Sequence, residues 1–284
     1  MKLALLATPT CGIGPQTRDQ RKVTTTWRLL IDDGPVDGVW NMALDRAIQV
    51  LRQAEESAPT LRLYRWKRPT VTLGRFQAVE SIDRGFCEAN GIDVVRRFTG
   101  GRGVLHDDEV TYSIVAGLSD GVPRGVAASY RMLCGGLAET YRRLGVDAAL
   151  TALPRGDRTS AACYLHATAA DLSLGARKLS GSAQVWLGST VLQHGSFTIS
   201  RDIARDGRVF RLEDVASARL KERTATLADV LAEPPSVEQI VAAAISGISG
   251  SLGIELAAGS PTPEELDLAS QLLPEVDPDG VASR

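Results

Sequence analysis

Arg96-Arg97-Phe98-Thr99-Gly100-Gly101-Arg102-Gly103-Val104-Leu105-His106-Asp107 sets arginines, three glycines, a hydroxyl and a histidine between two apolar segments. Upstream, Ile92-Asp93-Val94-Val95 reads as a short strand. Downstream, Val110-Thr111-Tyr112-Ser113-Ile114-Val115 reads as another, rich in β-branched and aromatic residues. Glycine tolerates positive φ and lets a ligand come close to the backbone. The exposed N–H groups and the arginines could hold a carbonyl, a carboxylate or a phosphate. The competing reading is a glycine-rich hairpin loop with solvated arginines.

Working outward, Trp27 to Asp32 reads as a first strand, broken by Asp33-Gly34-Pro35. Asn41 is expected to cap a helix whose apolar stripe runs Met42, Ala43, Leu44, Ala47, Ile48, Val50 and Leu51. Asp45 falls within that helix, facing either a site or solvent. Thr60 to Trp66 alternates as a half-buried strand does, and Thr70 to Leu73 is the next strand. Residues 80 to 90 suggest a short helix ending at Asn90-Gly91. Cys87 on its inner side is expected to be a buried structural thiol.

Beyond the central stretch, Ser129 to Leu144 carries apolar residues at helical spacing, and Gly145 ends it; Cys134 packs within it. Asp147 to Leu153 reads as an edge strand and Pro154 to Ser160 as a loop. Two short pieces follow, Ala161 to Tyr164 and Ala170 to Leu174. Gly175-Ala176-Arg177 then turns the chain, Lys178 to Leu187 returns as one strand, and Thr190 to Ile199 completes an antiparallel run. From about residue 210 the character becomes helical: Leu227 to Leu231, a longer helix capped by Ser236, and a last one opened by Thr262, with Asp277 to Arg284 frayed. Strands and helices without regular βαβ alternation predict an α+β fold, a mixed and largely antiparallel sheet flanked by helices.

The chain has 284 residues, 44% hydrophobic and 23% charged, as a soluble globular protein does. Its net charge of −2 gives no electrostatic case for a nucleic-acid partner, although Arg96, Arg97 and Arg102 could attract a small anion or an acidic carrier protein. Cysteines at 11, 87, 134 and 163 form no Cys-x-x-Cys pair, and histidines stand only at 106, 166 and 194, so no metal site is expected. No apolar run is long enough to cross a membrane. Residues 1 to about 25 are expected to be a mobile extension, and cytoplasm is the expected location.

Chemistry points to Cys163 and Lys178. A cysteine thiolate attacks thioesters well, but an unperturbed pKa of about 8.5 leaves little of it ionised at neutral pH, so a nearby ammonium would help. Fifteen residues separate the pair, across one connection and one hairpin. Neighbouring strands lie about 5 Å apart, so the two can meet. The plainer alternatives are a buried inert thiol and a surface lysine. His106 and His194 read as hydrogen-bonding or structural imidazoles, and His166 carries no strong signal.

Taken jointly, these blocks resemble the lipoate–protein ligase and octanoyltransferase family. Arg96-Arg97-x-Thr99-Gly100-Gly101-Arg102-Gly103-Val104-Leu105-His106-Asp107 is similar to its signature. Asn41-Met42-Ala43-Leu44-Asp45 is similar to its early helix, and Thr60 to Gln77, with Trp66, Pro69 and Gly74, to its second block. Lys178-x-x-Gly181-x-Ala183-Gln184 is similar to its lysine motif, and Leu192-Gln193-His194-Gly195-Ser196 to the strand after it. The blocks run in order from residue 27 to about 200. One departure is Arg46, where the family usually has Glu.

The resemblance implies a single catalytic domain over residues 26–284, related to the biotin ligase catalytic domain, with a helical part from about 210 to 284. Ala162-Cys163-Tyr164 resembles the Ala-Cys-Phe element of the octanoyltransferases found in many Gram-positive bacteria. Some 75 residues follow the last catalytic strand, short for a tail plus the accessory domain of many ligases. Both features imply transfer of octanoate from acyl carrier protein through Cys163 to a lysine of a lipoyl domain, such as the glycine-cleavage H protein. Lys178 would favour the thiolate and assist the incoming amine. Arg97, Thr99, Gly100, Gly101, His106, Gly181, Ala183 and His194 would form the acyl and carbonyl pocket. The implied enzyme is a monomer that needs no metal or cofactor. ATP and Mg enter only if the chain is instead an ATP-dependent lipoate ligase. The other rivals are an amidotransferase between lipoyl domains and a silent acyl-binding protein.

Overall fold

A computed structural model describes residues 25–150, 162–163 and 171–278. In chain order the strands are β1 (Thr26–Ile31), β2 (Thr60–Tyr64), β3 (Thr70–Leu73), β4 (Asp93–Arg96), β5 (Val104–His106), β6 (Glu109–Gly117), β7 (Ala149–Leu150), β8 (Leu172–Leu174), β9 (Arg177–Ser180), β10 (Ser182–Leu187), β11 (Thr190–Thr198) and β12 (Glu255–Ala258). The helices are α1 (Gly38–Gln53), α2 (Arg84–Ala89), α3 (Val126–Arg143), α4 (Ile203–Val209), α5 (Asp214–Arg223), α6 (Leu227–Val230), α7 (Val237–Leu252) and α8 (Pro263–Leu272).

The main sheet has the order β10-β11-β6-β2-β1-β12. Its first three pairings are antiparallel and its last two parallel, so the expected α+β class with a mixed, largely antiparallel sheet holds. Every residue of β6 is buried, because helices cover both faces. Tyr112 and Ile114 face Leu133 and Leu137 of α3 and Ile248 of α7. Val115 faces the other way, onto Ala47 and Ile48 of α1 and Ala269 of α8. A smaller sheet, β4-β3-β5, buries Val71, Leu73 and Leu105 with Cys87, Val209 and Phe210. A third, β7-β8-β9, closes one side. Cys87 and Cys134 are buried packing thiols, as expected.

Three readings need correction, and one strand was missed. Helix α1 starts at Gly38 behind an extended Asp37, not at Asn41. Asn41 is pulled inward instead: its Oδ1 accepts from Arg62 Nη2 at 2.6 Å and its Nδ2 donates to the Val36 carbonyl. Residues 80 to 90 divide into a 3₁₀ turn, Val79–Ser81, and α2, which Asp83 caps through the Phe86 N–H. Lys178 to Leu187 is not one strand, for the chain leaves β9 at Ser180 and enters a different sheet at Ser182. Strand β12 went unread because it is a short, mostly exposed, alanine-containing edge that exists by pairing with β1. The C-terminal caps were legible: Ser236 with Gln239, and Thr262 with Glu265, both form reciprocal boxes. No helix among the described residues is long and apolar enough to cross a membrane. Residues 1–24, 154–160 and 279–284 lie outside the described residues, as do Cys11, Tyr164 and His166.

Candidate active site

The ends of β5, β9, β10 and β11 converge on one cavity of about 980 Å³, roofed by the 100–102 loop and α3. Cys163, Lys178, His106 and His194 line it, as do Arg97, Gly100, Gly101, Gly181 and Ala183. Thr99 stands one layer behind, with its hydroxyl 2.7 Å from His194 Nε2. The fold therefore gathers residues spread over a hundred positions of sequence.

Cys163 is held through its backbone. Its N–H donates to the Gly103 carbonyl at 2.9 Å, and Gly103 bridges Ala162 in parallel. Lys178 Nζ donates to the Cys163 carbonyl at 3.5 Å and pairs with Asp171 Oδ2 at 3.0 Å. The Lys178 and Asp171 side chains are only 2% and 3% exposed. The ammonium folds back over Gly181, where a Cβ would lie 3.2 Å from Nζ. A side chain there would press on the lysine, which is a physical reason for glycine in the Lys-x-x-Gly spacing.

Arg97 is not aimed at a ligand. Its Nε donates to Thr99 Oγ1 at 3.0 Å, its Nη1 to Thr72 O at 3.0 Å and Thr72 Oγ1 at 3.2 Å, and its Nη2 to Gly100 O and Arg102 O at 2.8 and 2.9 Å. A guanidinium has five N–H donors, and these partners occupy all of them. Burial lowers its pKa while the nearby Cys163 and Tyr130 push the other way. Arg96 likewise donates to the carbonyls of Gly74, Arg75, Gln77 and Pro278. Arg97 thus fastens the glycine loop, and Arg96 fastens the 74–77 turn against which that loop packs. The loop needs this, because the Gly101 carbonyl lies where a Cβ on Gly74 would stand and Gly101 itself has φ of +97°.

Two histidines flank this arginine. His106 Nδ1 lies 2.6 Å from Glu109 Oε1, its Nε2 meets Thr72 Oγ1 at 3.0 Å, and its ring stacks on Trp66. Burial pushes the Glu109 carboxyl up, but His106, Ser196 and Thr111 together hold it below its ordinary value. His194 Nδ1 faces Asp45 Oδ2 at 3.8 Å. Burial takes His194 below the usual imidazole range despite that carboxylate. Thr99 Oγ1 accepts from Arg97 Nε and so joins Arg97 to the His194 ring. Asp45 faces inward: it accepts from Arg62, Tyr64 and Ser113. Trp66 Nε1 donates to Thr111 Oγ1. The polar groups of the wall so satisfy one another, and the surface left to a ligand is largely apolar.

Sequence reasoning passed over Asp171 as a site residue. A tight β8–β9 hairpin at Gly175, with Ser173 opposite Lys178, brings it to the lysine seven positions on. Its signal was that two-residue turn. Glu109, Thr72 and Tyr130 gave none, since each owes its place to pairing between distant strands or to helix packing. Among the described residues, no cluster of three or more His, Cys, Asp or Glu side chains is arranged to hold a metal ion.

The profile of the lipoyl protein ligase A/B catalytic domain matches residues 37–249. An octanoyltransferase LipM of Kyrpidia tusciae is 37% identical over 261 residues, covering 87% of this chain and 95% of that protein. The octanoyltransferase LipM of Symbiobacterium thermophilum is also 37% identical, over 88% of this chain and 94% of its own. In solved structures, a bipartite lipoate protein ligase from Thermoplasma acidophilum, studied with its E2 lipoyl domain, superposes with a TM-score of 0.73 at 25% identity, over 88% of this chain and 92% of that one. A lipoate-protein ligase A bound with ATP gives the same TM-score and identity, over 88% and 94%. With its profile match, its relatives and its fold in agreement, the chain belongs to the lipoyl protein ligase A/B catalytic-domain family.

Proposed function

We propose that this protein is an octanoyltransferase of lipoate biosynthesis, which takes octanoyl from acyl carrier protein onto Cys163 and passes it to a lysine of a lipoyl domain. The relatives named octanoyltransferase LipM, matched over nearly their whole length, support the transfer. The observation that carries the route is Cys163, tethered to the glycine loop at the cavity wall, with the Lys178 ammonium at its carbonyl. In this reading residues 26–284 work as one catalytic unit. The helical C-terminal part belongs to it, for Ile240, Ala244 and Ile248 of α7 share the core of α3.

The octanoyl chain lies in the apolar cavity, toward Met42, Tyr64 and Trp66, with its thioester carbonyl at Cys163. Cys163 gives up its proton as its sulfur attacks that carbonyl, the carbon–sulfur bond to the carrier breaks, and the carrier thiol leaves with that proton. Oriented N–H groups and the Lys178 ammonium stabilise the oxyanion. The acceptor amine then attacks the acyl–Cys163 thioester. An amide bond forms, Cys163 departs as thiolate, and the amine proton returns to it. Paired with Asp171, Lys178 supplies charge, and Asp171 is the group able to draw a proton through it. The thioester is already activated, so the route takes no ATP and no metal. A lipoyl domain such as the glycine-cleavage H protein is the acceptor.

Likeness to a lipoate-protein ligase A bound with ATP favours one second reading, ATP-dependent ligation with Cys163 incidental. Intact mass separates the two. Octanoyl-acyl carrier protein without ATP is expected to add one octanoyl group, absent in Cys163→Ala. No adduct, with lipoyl-domain modification only when lipoate and ATP are supplied, would move the protein to the ligase reading.

A further inference from the structure

The charge around the cavity differs from that of the chain. Its lining includes Arg97, Arg102, Arg131 and Lys178 but one carboxylate, Asp171, and that carboxylate is paired with Lys178. The whole chain carries −2. Arg97 is spent on the loop. Arg131 is exposed at the rim and makes no hydrogen bond or ion pair among the described residues. It shares one face of α3 with Val126, Ala127 and Tyr130, all lining the mouth. Val126 and Tyr130 are four positions apart, as are Ala127 and Arg131, so each pair lies on one side of the helix. Val126 is 57% exposed, and Leu150 of β7, also at the mouth, is 37% exposed. Among the described residues, Arg131 is thus an exposed cation at the mouth, beside two exposed apolar side chains.

We infer that this face of α3, with Arg131 at its centre and Val126 and Leu150 beside it, docks the acidic acyl-carrier donor. The inference rests on the proposed function and adds where the donor sits. Charge complementarity chooses the occupant: a positive mouth on a net-negative chain attracts an acidic body and steers it to the cavity. The reach of the substrate chooses donor over acceptor. An acceptor lysine is short, so its domain must bring its own backbone over Cys163. A carrier holds its acyl group on a long arm and can rest on the flank while the chain threads inward.

Titration calorimetry with holo-acyl carrier protein, free of any acyl group, reads this surface without the chemistry. Arg131→Glu is expected to weaken binding at least about tenfold, and Val126→Asp to weaken it too. Arg142→Glu, at the far end of the same helix, is expected to leave binding unchanged. The wild-type affinity should fall as salt rises. The inference is overturned if Arg131→Glu binds the carrier as the wild type does, if Arg142→Glu costs as much, or if only lipoyl-domain binding is lost. Failure of the thioester reading is seen separately, as absence of an octanoyl adduct on the wild type.

Discussion

Asp171 Oδ2 lies 3.0 Å from Lys178 Nζ, and the same ammonium reaches the carbonyl of Cys163. A buried carboxylate of this kind fixes where the ammonium points. Asp171→Asn keeps the shape and removes the charge. It is expected to lower the rate of acyl–enzyme formation by about a hundredfold. Single-turnover acylation followed by intact mass would measure it. A rate within twofold of wild type, in a folded variant, would remove Asp171 from the mechanism.

Two glycines separate activity from stability. Gly181→Ala places a methyl 3.2 Å from Lys178 Cε and Nζ, a flexible end that can yield by a few tenths of an ångström. Stability should change by less than about 1 kcal/mol while acylation falls about tenfold, since misplaced groups cost rate first. Gly74→Ala drives a Cβ into the Gly101 carbonyl, backbone against backbone. That variant should lose about 1–3 kcal/mol of stability. Urea denaturation alongside acylation rates reads both, and the reverse ordering would refute the assignment.

Arg62 is wholly buried between Asp45 at 3.0 Å and Asp32 at 2.6 Å. These carboxylates raise its pKa against the pull of burial. Arg62→Met leaves Asp45 buried without its cation and is expected to cost about 3–5 kcal/mol. Adding Asp45→Leu should recover part of the loss, because the stranded charge goes with it. A double variant no more stable than Arg62→Met would show that packing, not charge, dominates.

Burial holds His194 below the usual imidazole range, so the unfolded chain takes up a proton there that the folded chain refuses. Stability therefore rises with pH across this window. The contribution is full above about pH 6.5, the unfolded value, and is lost as pH falls through the lower folded one. Urea midpoints between pH 7.5 and about 5 should decline, and His194→Gln should flatten that decline. An unchanged slope in the variant would sink the claim.

The strands around the central glycine stretch could be read because β-branched and aromatic runs are bounded by turns, and their pairing then places His106 and His194. Cys163 and Lys178 were legible as chemistry, not as a contact. What brings them together is a bond from Cys163 N to Gly103 and a break at Gly181, and neither has a periodicity. Arg97 was read by residue type as an anion ligand's partner. Its full set of inward bonds depends on carbonyl directions that sequence does not encode. Asp45 stayed ambiguous because one helical position faces core or solvent only once β2 supplies Arg62 and Tyr64.

Cys163 is moored by its main chain, through an amide that no substitution except proline removes. Cys163→Ala and Cys163→Ser therefore discard the sulfur and keep the mooring. Under the proposed route the alanine variant would be a ready-made snare: the donor would stay loaded, and the arrested pair could be isolated and imaged as an intact assembly.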